Sequence, residues 1–269
     1  MRRNTGSQVS GSRVGVLAGL LAAAALTAAP ARADVTLTAT VSGKMVVELS
    51  GDSVVLIKGH KMRNDMIRGS DRTSTIFDVD AGKMITLDHK KKEATIFDIA
   101  SVSESLAKVQ DTDVEVKLTP TSETKQIAGQ TCLVHQSDVR VAFSPIEGQK
   151  MTLAMTGPVC LAKGAPGHAE YAAFYEAALA KGFFFAPPQA AKAQPGHAKG
   201  MAKLQKVWAE AGVPLNQDIT MKLEGDGLMA KMMARVAGGT MSQSVTKIDA
   251  SPIADTEFAV PTGYKSKNP

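Results

Sequence analysis

The feature of this sequence that most constrains its fold is the alternation of apolar and polar residues between short turns. Val35, Leu37, Ala39 and Val41 alternate with threonine and serine, the period of two that a half-buried strand requires. Further short apolar runs follow, separated by turn signals such as those at 80–82 and 89–92. Connections this short join antiparallel neighbours only. The pattern therefore predicts a long antiparallel meander.

The later strands are predicted from the same pattern. Turn signals at Ala128-Gly129, Glu147-Gly148 and Gly157-Pro158 divide strands over 114–118, 131–143, 150–155 and 159–163. The final strand is predicted over 240–248, and 264–269 is predicted to be a frayed polar tail.

A helical period begins after Ala165-Pro166-Gly167. Tyr171, Phe174, Tyr175 and Ala178 recur at the spacing of one helix face, and Gly182 is typical of a helix C-cap. A second helix is predicted over 199–211, and a third after Asp226. We therefore predict an α+β fold, with helices on one face of a curved antiparallel sheet and a helical insertion at about 165–211.

The N-terminal segment has the three parts of a cleavable secretory signal peptide. Arg2, Arg3 and Arg13 precede an apolar run over 14–29, and Ala31-Arg32-Ala33 offers a cleavage site. The run is shorter than the roughly 20 residues that span a bilayer. We predict cleavage near Ala33, giving a periplasmic or secreted domain over 34–269 with no transmembrane span.

Removal of the signal peptide also changes the charge. The chain has 31 Lys+Arg and 26 Asp+Glu, and four arginines but no acid lie in residues 1–33, which leaves 27 bases against 26 acids. A nearly neutral chain lacks the positive field that nucleic acids require, so we expect no nucleic-acid partner.

The two cysteines, Cys132 and Cys160, lie in neighbouring predicted strands. In an exported chain an even, small count indicates one structural disulfide. A redox pair is the alternative, although the sequence has no Cys-x-x-Cys motif to activate either thiol.

Most catalytic signatures are missing from the sequence. No two histidines lie within five residues of each other, and there is no nucleophile elbow, phosphate-binding glycine loop or calcium loop. Asp71, Asp78, Asp80 and Asp88 follow the spacing of the hairpin turns, which explains them as turn residues. We therefore expect no metal, no cofactor and no enzymatic activity. A hydrolase would require acidic or histidine side chains to converge in one cleft.

Large, soft apolar side chains in the helical regions are candidates to line a ligand cavity, although core packing is the ordinary role of such residues. The candidate lining residues are Phe174, Phe184, Trp208, Met229, Met232 and Met233.

A series of short motifs resembles an exported bacterial family of unassigned function, similar to the periplasmic carriers of outer-membrane lipoproteins (the LolA/LolB-like superfamily). The motifs are Leu56-Ile57-Lys58-Gly59, Lys61-Met62-Arg63-Asn64-Asp65, Thr75-Ile76-Phe77-Asp78, Ile127-Ala128-Gly129, Ala165-Pro166-Gly167 and Ala259-Val260-Pro261-Thr262-Gly263-Tyr264. The resemblance implies a half-open β-barrel whose helices cover an apolar cavity. It suggests a non-enzymatic binding protein for a lipid, acyl chain or other apolar molecule. The alternative is a module that docks an envelope protein at a sheet edge or on the methionine helix.

Overall fold

A computed structural model describes Met1 and residues 34–44, 48–101, 114–146, 149–185, 195–226 and 238–268. Residues 2–33 of the predicted signal peptide and the predicted helix after Asp226 lie outside these ranges, so both stay predictions.

The described residues form twelve strands in a single sheet. The strands are β1 Val35–Lys44, β2 Glu48–Lys58, β3 Lys61–Arg68, β4 Asp71–Asp78, β5 Lys83–Asp88, β6 Glu93–Asp98, β7 Val114–Ile127, β8 Gln130–Ile146, β9 Gln149–Ala162, β10 Val213–Gly225, β11 Gly239–Asp249 and β12 Lys265–Lys267. Their spatial order is β12-β6-β5-β4-β3-β2-β1-β11-β10-β9-β8-β7. Between β9 and β10, the described residues form two α-helices, α1 (His168–Ala180) and α2 (Pro195–Ala211). The predicted α+β fold is confirmed.

The Gly157-Pro158 pair does not end a strand, so the division at this point was wrong. Both residues pair with β8 inside β9, whereas the pairing of β9 with β10 passes over them. The proline therefore lies at a gap in the pairing of β9 with β10, the kind of irregularity at which strands tolerate proline. A Cβ at Gly157 would lie 1.9 Å from the carbonyl oxygen of Asp218, so glycine allows β10 to approach closely here.

The prediction of a frayed tail over 264–269 was also wrong in part. Lys265–Lys267 forms β12, which pairs with β6 in parallel and makes the sheet mixed. The N–H of Lys265 donates to the carbonyl oxygen of Lys92 at 2.9 Å. Because β6 would otherwise end this side of the sheet, the tail satisfies backbone groups that an edge strand leaves unpaired.

The inner face of the first half of the sheet carries a row of buried side chains, one from each of six neighbouring strands. Each residue pairs directly with the next across the sheet, and all are less than 7% exposed. The row is Val35, Ile57, Met62, Phe77, Met84 and Phe97. It forms the floor of the main core, which α1 covers.

Helix α1 buries the predicted face, which includes Tyr171, Phe174, Tyr175 and Ala178. It begins after Gly167 and ends in a Schellman motif, in which Gly182 donates to Leu179 at 2.9 Å and Phe183 donates to Ala178 at 2.8 Å. The C-cap role predicted for Gly182 is confirmed.

The second half of the sheet curls strongly. Strands β7 and β11 are four positions apart, a separation of about 19 Å in a flat sheet, yet some of their Cα atoms lie within 8 Å of each other. Helix α2 packs across β7, β8, β9 and β10 in this region. Neither α1 nor α2 is long and apolar enough to cross a membrane.

The outer face of β2 to β6 is covered by the segment between β11 and β12, residues 250–264, which we call the strap. Ile253 and Phe258 of the strap pack with Ile76, Leu87 and Ala94 of the sheet in a separate core cluster. The strap therefore makes this part of the sheet a layer that is buried on both sides.

Candidate functional site

An aromatic cluster lies between α1 and the inner face of the sheet. Its ring centroids are 4.8 to 6.2 Å apart. Its members are Phe77, Tyr171, Phe174, Tyr175 and Phe185. The tilted and edge-on ring arrangements are those that aromatic side chains favour.

Two phenol hydroxyls inside this cluster have weak partners. Tyr175 donates to the Sδ atom of Met62 at 3.8 Å, and Tyr171 donates to Oε1 of Gln205 in α2 at 3.4 Å. Thioether sulfur is a weak acceptor, and 3.4 Å is long for an O–H···O bond. Burial, reinforced by the neighbouring Tyr175 hydroxyl, raises the pKa of Tyr171 well above its ordinary value. Burial also raises the pKa of Tyr175 to about 12, although its hydrogen bond with Tyr171 opposes the rise. Both hydroxyls therefore stay protonated, and each directs its single O–H at a weak acceptor.

The predicted lining residues fall in two places. Phe174 and Phe184 are fully buried in the main core. Trp208 is 2% exposed and belongs to a second core cluster, with Leu204 of α2 and Met155 of β9. Its indole Nε1–H has no hydrogen-bond partner among the described residues.

Met229, Met232 and Met233 lie outside the described residues, so their part in the lining stays a prediction.

The predicted disulfide between Cys132 and Cys160 is confirmed. It joins β8 to β9, with Cα atoms 5.3 Å apart, and both residues are 1% exposed. Thiol exchange requires access to the sulfur, so this burial favours the structural role over a redox pair.

A polar network lies on the outer face of the sheet, beneath the strap. Its centre is Asp65, which is 1% exposed. Its Oδ1 accepts from Arg63 Nε at 2.8 Å and from the Ser74 hydroxyl at 2.5 Å, and its Oδ2 accepts from Arg72. Burial alone would raise the pKa of Asp65, but the hydrogen bonds from Ser74, Arg63 and Arg72 outweigh it and hold the pKa below its ordinary value.

The strap supplies the rest of this network. Arg63 Nη1 donates to the carbonyl oxygen of Glu257 at 2.8 Å and to its carboxylate at 3.0 Å. His89 lies between the two layers, with Nε2 at 2.6 Å from Ser74 Oγ and Nδ1 at 2.8 Å from the hydroxyl of Tyr264. Since the hydroxyl proton of Ser74 goes to Asp65, Nε2 of His89 carries the proton that points to Ser74, and Nδ1 accepts from Tyr264.

This convergence of serine, histidine and carboxylate meets the condition set for a hydrolase, but its geometry opposes nucleophilic catalysis. A base would need an unprotonated nitrogen facing the hydroxyl, whereas Nε2 of His89 donates to Ser74. Ser74 is 1% exposed beneath the strap, so its Oγ is closed to a substrate. The network instead binds the strap to the sheet.

Sequence reasoning missed this network, although part of its signal is present. The two-residue turn at Gly69-Ser70 sets the register of β3 and β4, which places Asp65 directly opposite Ser74. Arg63 and Asp65 alternate with Met62 and therefore share the other face of the strand. Two of the four aspartates behave as predicted, since Asp78 and Asp88 accept from the backbone N–H groups of Ala81 and Lys91. Asp71 and Asp80 instead pair with the exposed side chains of Lys90 and His60.

Comparisons with known proteins give distant similarities only. No protein-family model and no curated protein matches this chain. PNGF-II in its C2 crystal form is 9% identical with a TM-score of 0.35, and the alignment covers 87% of this chain and 31% of PNGF-II. A LolA superfamily protein from Nitrosomonas europaea is 9% identical with a TM-score of 0.30, over 85% of this chain and 91% of that protein. These similarities are too low to assign the chain to either group of proteins.

Proposed function

We propose that this chain is an extracytoplasmic, non-enzymatic binding protein that holds a lipid, an acyl chain or another apolar ligand between its helices and the inner face of the sheet. The observation that carries the proposal is the weak pairing of the Tyr171 and Tyr175 hydroxyls within an apolar, aromatic cluster. Buried hydroxyls are usually well paired, because leaving one unsatisfied costs about 1–3 kcal/mol. A ligand with an oxygen-bearing end and an apolar body would satisfy both the hydroxyls and the rings.

The arrangement of α1 supports this function. Gly167 and Gly182, at its two ends, both have positive φ, at 76° and 74°. Backbone rotation at these glycines would let α1 lift from the sheet as one unit and open the aromatic cluster to a chain. Phe174 and Phe184 would then contact the apolar body of the ligand.

Helix α2 extends the site toward Trp208. Gln205, the partner of Tyr171, lies three residues before Trp208 on α2. The unpaired indole Nε1–H gives the second cluster a donor as well. Helix α2 contributes Ala198 and Ala209 to the main core and Leu204 and Trp208 to the second cluster, so a long acyl chain that starts at the tyrosines and follows α2 would reach Trp208.

The location follows from the same proposal. The predicted signal peptide over 1–33 exports the chain, and the buried disulfide is typical of proteins from an oxidising compartment such as the periplasm.

The protein-docking alternative has less support at the sheet edge. Edge strand β7 contains Pro120 and an irregularity between Pro120 and Thr124. Proline and bulges on an edge hinder the addition of another strand. The predicted methionine helix after Asp226 lies outside the described residues, so no described contact supports docking on that helix.

Native mass spectrometry with oleate as the probe tests the proposal. The wild-type protein should retain oleate, and Tyr175→Phe, which keeps the ring, should retain less of it. Tyr264→Phe removes a hydroxyl from the outer face and should retain as much oleate as the wild type does. Equal retention by the two variants, or none by the wild type, would overturn the proposal.

A further inference from the structure

A groove of about 540 Å³ opens on the outer face, where the strap passes over β2 and β3. This volume lies within the range of small-molecule sites, roughly 300–1,000 Å³. Val54, Leu56 and Ile67 line it from the sheet, and Ile253 lines it from the strap. The groove therefore has apolar walls on two sides.

The polar residues of the groove are Asp65, Arg72 and Glu257. Both acids are already engaged, since Asp65 accepts from two arginines and Ser74, and Glu257 accepts from Arg63. Neither carboxylate needs a ligand cation, because each is paired with a guanidinium.

The guanidinium of Arg72 is the group in the groove that has unpaired N–H donors. One of its five side-chain N–H donors goes to Asp65, and the side chain is 44% exposed and makes no other hydrogen bond to a described residue. The buried carboxylate of Asp65 fixes the guanidinium, so its other donors are held in place before a ligand arrives. A fixed guanidinium matches the two oxygens of a carboxylate or a phosphate.

From this arrangement we propose that the groove is a second ligand site, which binds an aliphatic chain ending in a carboxylate or a phosphate. The anionic end pairs with the free donors of Arg72, and the chain lies between Ile67 and Ile253. This site shares no lining residue with the aromatic cluster on the inner face, so either site can exist without the other.

Methyl NMR of the isoleucine-labelled full chain tests the proposal, because the Ile67 and Ile253 methyl signals report on the groove alone. The probes are decanoate, decyl phosphate and the uncharged 1-decanol. Either anionic probe should shift both signals in a saturable way, and the tighter of the two identifies the head group. Arg72→Gln should weaken this binding at least tenfold, whereas Arg68→Gln, an exposed arginine on β3, should bind as the wild type does.

A second variant keeps the test independent of the network around Asp65. Ala254→Trp fills the groove from an exposed strap position and should abolish the shifts. Binding of 1-decanol as tight as that of decanoate, equal binding by Arg72→Gln and Arg68→Gln, or the absence of shifts in the wild type would each overturn the proposal. Tyr175→Phe should leave the groove shifts unchanged, which separates this result from that of the inner-face site.

Discussion

His89 joins the sheet to the strap through a 2.8 Å hydrogen bond between its Nδ1 atom and the hydroxyl of Tyr264. Its surroundings are mainly positive, with Arg63 on β3 and Arg72 on β4, while Asp65 and Asp88 oppose them. Burial, followed by the two arginines, lowers the pKa of His89 below its ordinary value of 6.5. Protonation of His89 would therefore add a partly buried positive charge and remove the acceptor for Tyr264.

The first prediction concerns pH. Because the pKa of His89 is lower in the folded chain, the unfolded chain binds the His89 proton more readily. The stability that neutral His89 contributes to the folded state is therefore complete above pH 6.5, the ordinary pKa of histidine. This stability is lost as the pH falls through the folded-state pKa. Urea unfolding between about pH 7.5 and about pH 5 should show this loss. His89→Gln should flatten the dependence in that window, and His60→Gln, on an exposed turn, should retain it. A wild-type dependence in His89→Gln would contradict the assignment.

The second prediction concerns Asp65. Asp65→Ala leaves Arg63 buried without one of its carboxylate partners, and we expect a loss of roughly 3–5 kcal/mol in the free energy of unfolding. Asp71→Ala removes the exposed partner of Lys90 and should cause a much smaller loss. Chemical unfolding of the two variants measures the difference, and losses of similar size would show that Asp65 does not hold the strap.

The third prediction compares the two kinds of tyrosine hydroxyl in the ligand-free protein. Tyr175→Phe removes a buried hydroxyl whose partner is a thioether, so stability should be unchanged or slightly higher. Tyr264→Phe removes a well-formed bond to His89 and should lower stability by about 1 kcal/mol. Thermal unfolding of both variants is the measurement. A clear destabilisation by Tyr175→Phe would mean that its hydroxyl is well satisfied and needs no ligand.

The fourth prediction concerns the disulfide, whose cysteines are 28 residues apart in the chain. Replacing both by alanine should lower the free energy of unfolding by about 3 to 4 kcal/mol, because the open chain gains loop entropy when it unfolds. Reduced wild-type protein is the control and should unfold at the same urea concentration as the double variant. A double variant as stable as the oxidised protein would contradict the expected role.

The sheet was largely predictable because its short turns set the register of each hairpin. The period of two in β1 and the helical period in α1 each gave the buried face correctly. Local pattern could not reveal the strap, because its contact with Arg63 joins residues 194 positions apart. The network was concealed for the same reason, because His89 lies in a lysine-rich turn and its partner Tyr264 is 175 positions further along the chain.

The candidate lining was predictable in part for a related reason. Helical spacing identified Phe174 and Trp208 as buried, but it could not show that they belong to different core clusters. Strand β9 separates the clusters, since Val159 and Leu161 contribute to one and Cys160 and Ala162 to the other. This division depends on how the sheet curls, and the curl cannot be predicted from the local sequence pattern.

Fluorescence quenching of Trp208 by dibrominated stearate tests the central claim most directly, because Trp208 is the only tryptophan of the chain and bromine quenches an indole on contact. We expect saturable quenching that unlabelled stearate reverses, that weakens in Tyr175→Phe, and that persists in Arg72→Gln. If the protein binds the brominated chain but Trp208 remains unquenched, the acyl chain does not follow α2 to Trp208; if, in addition, binding is unchanged in Tyr175→Phe, the proposed inner-face site is wrong.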